Sequence, residues 1–257
     1  MLVRPFRWTT IIFLLAAILL FWLGWHGTAS YWWLLLPVLL YLHILVLGAI
    51  FIQWNFYLPA FHRGSNSNKI ALTFDDGPVA LTRDILDILK AEDVKATFFC
   101  IGKNIAAYPE MLKRMVAEGH LIGNHTYTHS FSFDWQSSQN MQAELEKTNQ
   151  LAKEITGKNL KWFRPPYGVT NPNLAQAVKR SGMTAIGWSL RSFDTTAKNE
   201  QQLLHRLLRR LKGGDVILLH DTMPVTAAVL TSFIQQARKR GFIFAPLDEV
   251  LSVSPYA

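Results

Sequence analysis

Two long runs without a charged residue lie near the start of this chain, and they constrain its fold more than any other feature. Trp8 to Trp25 is an apolar run of 18 residues; Tyr31 to Phe51 is a second, which extends to Trp54 across one glutamine. An 18-residue helix is just long enough to cross the hydrocarbon layer of a bilayer. The pair therefore predicts a helical hairpin turning at Gly27-Thr-Ala-Ser30. Trp8, Trp22, Trp25, Trp32, Trp33 and Trp54 cluster near the run ends, where amphipathic rings favour the headgroup layer. Residues 1–60 are thus expected to be a membrane anchor with spans of about 8–25 and 31–54, and residues 61–68 a polar linker. Two other readings stand beside this one. Gly27-Thr28-Ala29 is a passable signal-cleavage site, and an apolar helix can also be the buried core of a soluble domain.

Charge sets the expected orientation. Arg4 and Arg7 precede the first run, Arg63 and Lys69 follow the second, and the turn between them has neither Lys nor Arg. Positive flanks favour the cytoplasm, so the chain is expected to be a multi-pass inner-membrane protein with residues 69–257 on the cytoplasmic side. The net charge of +8 is compatible with anionic lipid. No nucleic-acid motif is present, so nucleic acid is not an expected partner. With one cysteine, Cys100, no disulfide can form within the chain. Its place in the run Ala96–Ile101 predicts a buried apolar side chain.

After the linker the pattern alternates. Strands are predicted over 69–74, 96–101, 121–123, 162–163, 184–188, 215–219 and 242–244, and helices over 82–91, 109–118, 140–156, 171–180, 199–212 and 225–240. Such alternation means a parallel sheet, open or closed into a barrel, with chemistry at the C-terminal strand ends. Asp75-Asp76, His125, Arg164, Asp194 and His220 all follow predicted strands. The 199–212 helix carries a leucine face beside Arg206, Arg209, Arg210 and Lys212. That pattern suits an ordinary barrel helix or one lying on anionic lipid.

Each chemical motif is ambiguous alone. Adjacent carboxylates at Asp75-Asp76 repel unless a cation or a basic group intervenes, yet an Asp-rich turn can simply cap the next helix. His125 and His129, four apart, would face one way on a helical turn and, with Asp76, offer the three-ligand set of a hydrolytic metal site; such spacing also arises by chance. Arg164-Pro-Pro-Tyr167 stiffens an arginine or is a proline-rich loop, and a lone His220 at a strand end is as compatible with structure as with catalysis.

Taken together and in order, these motifs resemble the polysaccharide deacetylase family, the NodB-like group or carbohydrate esterase family 4. Thr73-Phe-Asp-Asp-Gly77 looks like the family's first motif, His125-Thr-Tyr-Thr-His129 the second, Arg164-Pro-Pro-Tyr167 the third and Leu218-Leu-His220 the fifth, over roughly residues 66–250. The resemblance implies a distorted (β/α) barrel of seven strands and a hydrolase that removes an N-acyl group, acetyl in the first instance, from an amino sugar. It implies Asp75 as general base, His220 as general acid, Arg164 orienting Asp75, and Asp194 supporting His220. Asp76, His125 and His129 are implied as ligands of a divalent metal, zinc first, with Co²⁺, Mn²⁺ or Ni²⁺ as alternatives. Tyr167 (through nearby backbone N–H), Leu218, Pro166 and Trp188 are the expected substrate contacts.

The fourth motif departs from the family: Arg191 and Thr195 stand where an acidic residue and a tryptophan are common, which bears on substrate more than on reaction. A tethered enzyme suggests a membrane-proximal glycan, such as a lipid-linked sugar, with membrane lipids as further partners. Alternatives are deformylation of a lipid-linked amino sugar, a non-catalytic glycan-binding role, and a membrane-assembly role.

Overall fold

The computed structural model describes residues 4–65 and 68–257. The start of the expected anchor and Asn66-Ser67 of the expected linker lie outside the described residues.

The hairpin forms. Helix α1 (Arg4–Trp25) is followed by a single 3-10 turn (Tyr31–Leu34), α2 (Leu35–Ile50) and a second 3-10 turn (Ile52–Trp54). The helices touch through Thr10 Oγ1 and the Tyr41 hydroxyl, 2.9 Å apart. Nothing in the apolar window of α1, and only 11% of that of α2, is buried. Both helices are long and apolar enough to cross a membrane, and their exposure excludes the reading of a buried core helix.

The remaining chain alternates as expected. The strands are β1 (Ala60–Phe61), β2 (Lys69–Asp75), β3 (Thr97–Cys100), β4 (Leu121–Asn124), β5 (Trp162–Phe163), β6 (Thr184–Ile186), β7 (Leu190–Arg191), β8 (Val216–His220) and β9 (Ile243–Phe244). The helices are α3 (Thr82–Ala91), α4 (Gly102–Ala107), α5 (Pro109–Ala117), α6 (Ser138–Thr156), α7 (Pro172–Arg180), α8 (Glu200–Arg210), α9 (Pro224–Lys239) and α10 (Leu247–Leu251). Side-chain caps begin three of them: Ser137, Asn171 and Asn199 each accept from a backbone N–H in the first turn of α6, α7 and α8. All ladder pairings are parallel, in the order β1-β6-β5-β4-β3-β2-β8-β7, with β9 beside β2. The sheet curls. Only three residues separate β6 from β7, yet β6 pairs with β5 and β1 while β7 pairs with β8, so this crossing brings the two sides of the sheet together.

Period-two alternation assigns the faces. Ile70, Leu72 and Phe74 of β2, Phe98 and Cys100 of β3, and Ile217 and Leu219 of β8 belong to the core between sheet and helices. Ala71, Phe99, Val216 and Leu218 belong to the core inside the curl. Thr73 and Asp75 share the parity of Ala71, and His220 that of Leu218. Both Asp75 and His220 therefore end their strands on the inner face, opposite one another in the β2–β8 register. Cys100 is fully buried, as its apolar run predicts, and burial pushes its thiol well up.

Several expectations are corrected. The first residues of the stretch read as a linker, Phe61 to Gly64, are packed. Phe61 pairs with Ile186, Gly64 N–H donates to Gly214 O at 2.8 Å, and Arg63 bridges Asp215 at 2.6 Å. The chain after α2 is drawn inward because Ile52, Phe56, Tyr57 and Leu58 are buried. The strand expected over 184–188 stops at Ile186, since its carbonyl and that of Gly187 turn inward to Arg164. The two-residue strands β1 and β7 are additional to the seven read from the sequence. The leucine face of α8 is core: Leu203, Leu207 and Leu208 are buried in the cluster shared with α9, so it is not free to lie on lipid.

Candidate active site

A cleft of about 250 Å³ opens at the C-terminal ends of the strands, among Asp75, Asp76, His125, His129, Trp188 and His220. Asp75 closes β2 and is buried. Its Oδ1 accepts from Arg164 Nη1 at 2.7 Å, and the same nitrogen donates to Thr73 Oγ1 at 2.7 Å. Arg164 Nε and Nη2 donate to the carbonyls of Ile186 and Gly187, at 3.2 and 2.8 Å. The guanidinium lies 4.0 Å from the Phe99 ring centroid. It is fully buried; burial lowers its pKa and Asp75 opposes that, but an arginine stays charged in either case.

Asp76 leaves the strand with φ of 78°, a left-handed conformation that aspartate tolerates better than most residues. This turns its carboxylate away from Asp75 and toward the histidines. Asp76 Oδ1 lies 3.4 Å from His125 Nε2 and 3.5 Å from His129 Nε2. The three donor atoms lie within 4.8 Å of one another.

The histidines do not sit on a helical turn, contrary to the spacing argument. They flank a loop after β4 in which Thr126 and His129 have φ of 63° and 50°. Local hydrogen bonds hold that shape. Asn124 Oδ1 accepts from Thr126 N–H, Thr126 Oγ1 accepts from His129 N–H, and Glu144 of α6 accepts from the N–H groups of Tyr127 and Thr128. His125 Nδ1 is 2.8 Å from the Arg164 carbonyl, which fixes the ring and leaves Nε2 for the cleft.

Across the cleft, His220 Nδ1 and Asp194 Oδ1 are 2.8 Å apart. Asp194 Oδ2 accepts from the His220 backbone N–H at 2.7 Å and from Thr226 Oγ1 at 2.8 Å. Burial lowers the His220 pKa, but the bond and charge of Asp194 outweigh it and raise it to about 9. Asp194 is held below its ordinary value, burial being overcome by His220 and Thr226.

The family model described as polysaccharide deacetylase matches residues 62–186. A peptidoglycan-N-acetylglucosamine deacetylase of Bacillus cereus is 32% identical over 208 residues, covering 77% of this chain and 76% of that protein. This chain belongs to the polysaccharide deacetylase family. The peptidoglycan-N-acetylmuramic acid deacetylase PdaA of Bacillus subtilis is 33% identical, with 75% of each chain covered. PgdA of Listeria monocytogenes is also 33% identical, over 75% of this chain, but the chain spans only 41% of PgdA's length. Among solved structures, the Bc1960 peptidoglycan N-acetylglucosamine deacetylase superposes with a TM-score of 0.73 at 31% identity, covering 77% of this chain and 94% of that one. BA3943 of Bacillus anthracis, a pseudoenzyme of carbohydrate esterase family 4, matches with a TM-score of 0.69 at 28% identity, over 75% of this chain and 68% of that one.

Seen as a deacetylase-family site, the cleft brings together every predicted acid, base and ligand residue. Of the expected substrate contacts, Tyr167, Leu218 and Trp188 line it. Pro166 does not; Pro165 takes the lining position, and Pro166 begins the turn that carries Tyr167. The Trp188 ring lies against Gly168, where a Cβ would meet it at 2.2 Å.

The electrostatics favour a cation. Burial raises the Asp76 carboxyl, but the bond and charge of His125, then His220 and His129, bring it down to about 2. Burial and the neighbouring His125 lower His129 to about 4, so it offers a neutral imidazole at pH 7. Two imidazole nitrogens and one carboxylate oxygen form a donor set that fits a divalent ion with an open position.

Three supports had no sequence argument behind them. Glu144 is an unremarkable helix residue, and Thr226 is one of many threonines. Asp221, next to His220, was visible as an acid ending an apolar strand. Its Oδ2 accepts from Thr82 Oγ1 at 2.6 Å, and a Cβ on Gly77 would meet that oxygen at 1.9 Å. Burial pushes its carboxyl up to about 7, opposed by the Thr82 bond and reinforced by Asp76 and Asp75.

Proposed function

We propose that this protein is a metal-dependent hydrolase that removes an N-acyl group, normally acetyl, from an amino sugar of a glycan. One observation carries the reading: a buried Asp75–Arg164 pair and an Asp194–His220 pair face each other across the Asp76–His125–His129 donor set.

Asp76, His125 and His129 would hold a divalent ion, zinc by donor type, which when bound polarises the amide and makes water a stronger acid. The protein's own groups do the remainder. Asp75, oriented by Arg164, takes a proton from the attacking water. The backbone N–H of Tyr167 faces the developing oxyanion, those of Gly168 and Val169 being spent on the carbonyls of Pro165 and Pro166. His220, held as imidazolium by Asp194, returns a proton to the departing amine. Leu218 and Trp188 form apolar walls for the acyl group and the sugar.

The helices α1 and α2 serve as a membrane anchor ending near Ile50, with the catalytic domain beyond it. The positive flanks support a cytoplasmic domain and a membrane-proximal or lipid-linked substrate. A second reading, deacetylation of peptidoglycan outside the membrane, is favoured by the substrates named for the relatives. Protease protection of the domain in sealed vesicles separates the two.

The test uses the full chain in detergent, loaded with Zn²⁺, with amine release followed from chitooligosaccharide and from peptidoglycan fragments. Amine release with about one bound metal per chain is expected. His125→Ala is expected to lose both metal and release. A metal-loaded wild-type chain that releases no amine from any N-acylated sugar would be a glycan binder or an assembly component, as the pseudoenzyme relative makes conceivable.

A further inference from the structure

The C-terminal end of α2 is hydrogen-bonded to a segment that adjoins the cleft lining. Thr170 N–H donates to Ala49 O at 2.9 Å, and Thr170 Oγ1 donates to Gly48 O at 3.3 Å. Thr170 follows Tyr167, a lining residue, by three positions, so it lies within roughly 10 Å along the chain. A second tie is Gln53 Nε2, which donates to the carbonyl of Trp188, another lining residue, at 2.9 Å. Phe51 and Trp54 stack at the same exit, both partly exposed, as a headgroup-level aromatic pair would be. These ties hold the stretches that carry Tyr167 and Trp188 against the end of α2 and the turn after it, where the proposed anchor would leave the bilayer.

The rim of the cleft presents large apolar rings to solvent. Phe131 is 87% exposed and Trp135 is 90% exposed. Phe131 lies 6.0 Å from the Tyr167 ring, and Tyr167 lies 4.9 Å from His129, so this exposed ring continues outward from the donor set, with Trp135 four residues further along the same loop. The loop that carries them is tied down. Phe133 between them is fully buried, and Asn171 and Asn173 donate to the carbonyls of Asp134 and Gln136 at 2.9 and 3.1 Å. Anchored rings held out in water beside a membrane exit are what an interfacial contact requires.

The cleft also contains an uncommitted cation. Arg191 lines it, 5.7 Å from the Trp188 ring and 4.9 Å from Phe193, and among the described residues it has no carboxylate partner. A guanidinium at the mouth of a sugar site suits a phosphate.

We infer that Phe131 and Trp135 form a membrane-contact surface, and that the cleft takes an amino sugar linked through phosphate to a bilayer lipid. This rests on the deacetylase reading above for its chemistry, but the membrane contact does not.

The test keeps the two apart. Full-length protein is placed in nanodiscs, and single-cysteine labels are introduced by Phe131→Cys, Trp135→Cys and Lys158→Cys. Native Cys100 is buried and silent, and Lys158 precedes β5 at the opposite strand ends. An environment-sensitive fluorophore at 131 and 135 is expected to be shielded from an aqueous quencher about fivefold more than at 158. Equal quenching at all three overturns the membrane contact, whatever the activity.

Amine release is then compared between soluble triacetylchitotriose and an N-acetylglucosaminyl phosphoryl polyisoprenol in the same discs. The lipid substrate is expected to be favoured at least about tenfold in kcat/KM, and Arg191→Ala to raise its KM about tenfold. Phe131→Ser with Trp135→Ser is expected to remove most of that preference while leaving the soluble substrate within about twofold. Equal losses on both substrates would make the rings a glycan-stacking platform and overturn the proposal. Failure to release amine from either substrate, with the labels shielded, would instead sink the hydrolase reading and leave the membrane contact standing.

Discussion

The two carboxylate pairs that flank the cleft use the same acid and different bases. Asp75 is joined to an arginine with no solvent exposure, whose remaining donors are spent on Thr73 and two backbone carbonyls. Asp194 is joined to a histidine at the edge of the cleft, and its second oxygen is held by Thr226 and a backbone N–H. Arginine does not titrate in the physiological range, so the first pair keeps a fixed positive partner beside the carboxylate proposed as proton acceptor. Histidine does titrate, so the second pair can give a proton up and take it back. The division of labour in the proposed mechanism follows from that difference in the base.

The strongest way to break this comparison is Asp75→Asn. It keeps the shape and removes the proton acceptor, so turnover should fall about 10³-fold while the bound metal is retained. Near-normal amine release by that variant would mean that the water loses its proton elsewhere. Arg164→Met tests the permanence of the first pair. It leaves Asp75 and the Ile186 and Gly187 carbonyls buried without their donor, and the expected cost is about 3–5 kcal/mol in denaturant unfolding of the full chain in detergent. An unchanged unfolding midpoint would show that the pair is not holding the crossing from β6 to β7.

Asp194→Asn sharpens the titratable side. Asp194 gives the largest of the contributions that raise His220 to about 9 against burial, with Asp75 and Asp76 adding to it; without the Asp194 charge the pKa falls. The acid form is then lost at lower pH, so the alkaline limb of the kcat profile should move toward acid, with kcat at pH 7 reduced about 10–100-fold. An alkaline limb that does not move would assign it to another group. The smallest effect is expected from Thr195→Trp, which restores an aromatic wall beside His220. It should lower KM for chitooligosaccharide about threefold and leave kcat alone.

Most of the chemistry was legible in sequence because it sits where β-strands end. Asp75, Asp76, His125, Arg164 and His220 follow apolar runs, which places them at strand ends; which face Asp75 and His220 end on took the two packed cores to decide, because β2 and β8 are buried on both faces. The shape of the histidine loop was not legible. A spacing of four suggests a helical turn, but Glu144 and Asn124 satisfy the loop's N–H groups and stabilise left-handed backbone at Thr126 and His129. Likewise, Gly64-Ser-Asn-Ser-Asn68 has the composition of a free linker, yet the residues before it pair with β6 and bridge to Asp215. The leucine face of α8 showed that it was amphipathic, but which surface would cover it depended on where α9 packs.

The alternation of strands and helices, the placing of Asp75 and His220 at strand ends, and the apolar hairpin were determined by the sequence itself, because periodicity and run length depend only on neighbours along the chain. Tertiary structure alone decided that Arg164 would reach Asp75, that Thr226 would complete Asp194, and that α2 would dock beside Trp188 and Thr170. Those partners are 89, 32, 135 and 122 positions apart. No local pattern encodes such separations; the curl of the sheet brings them within hydrogen-bonding distance.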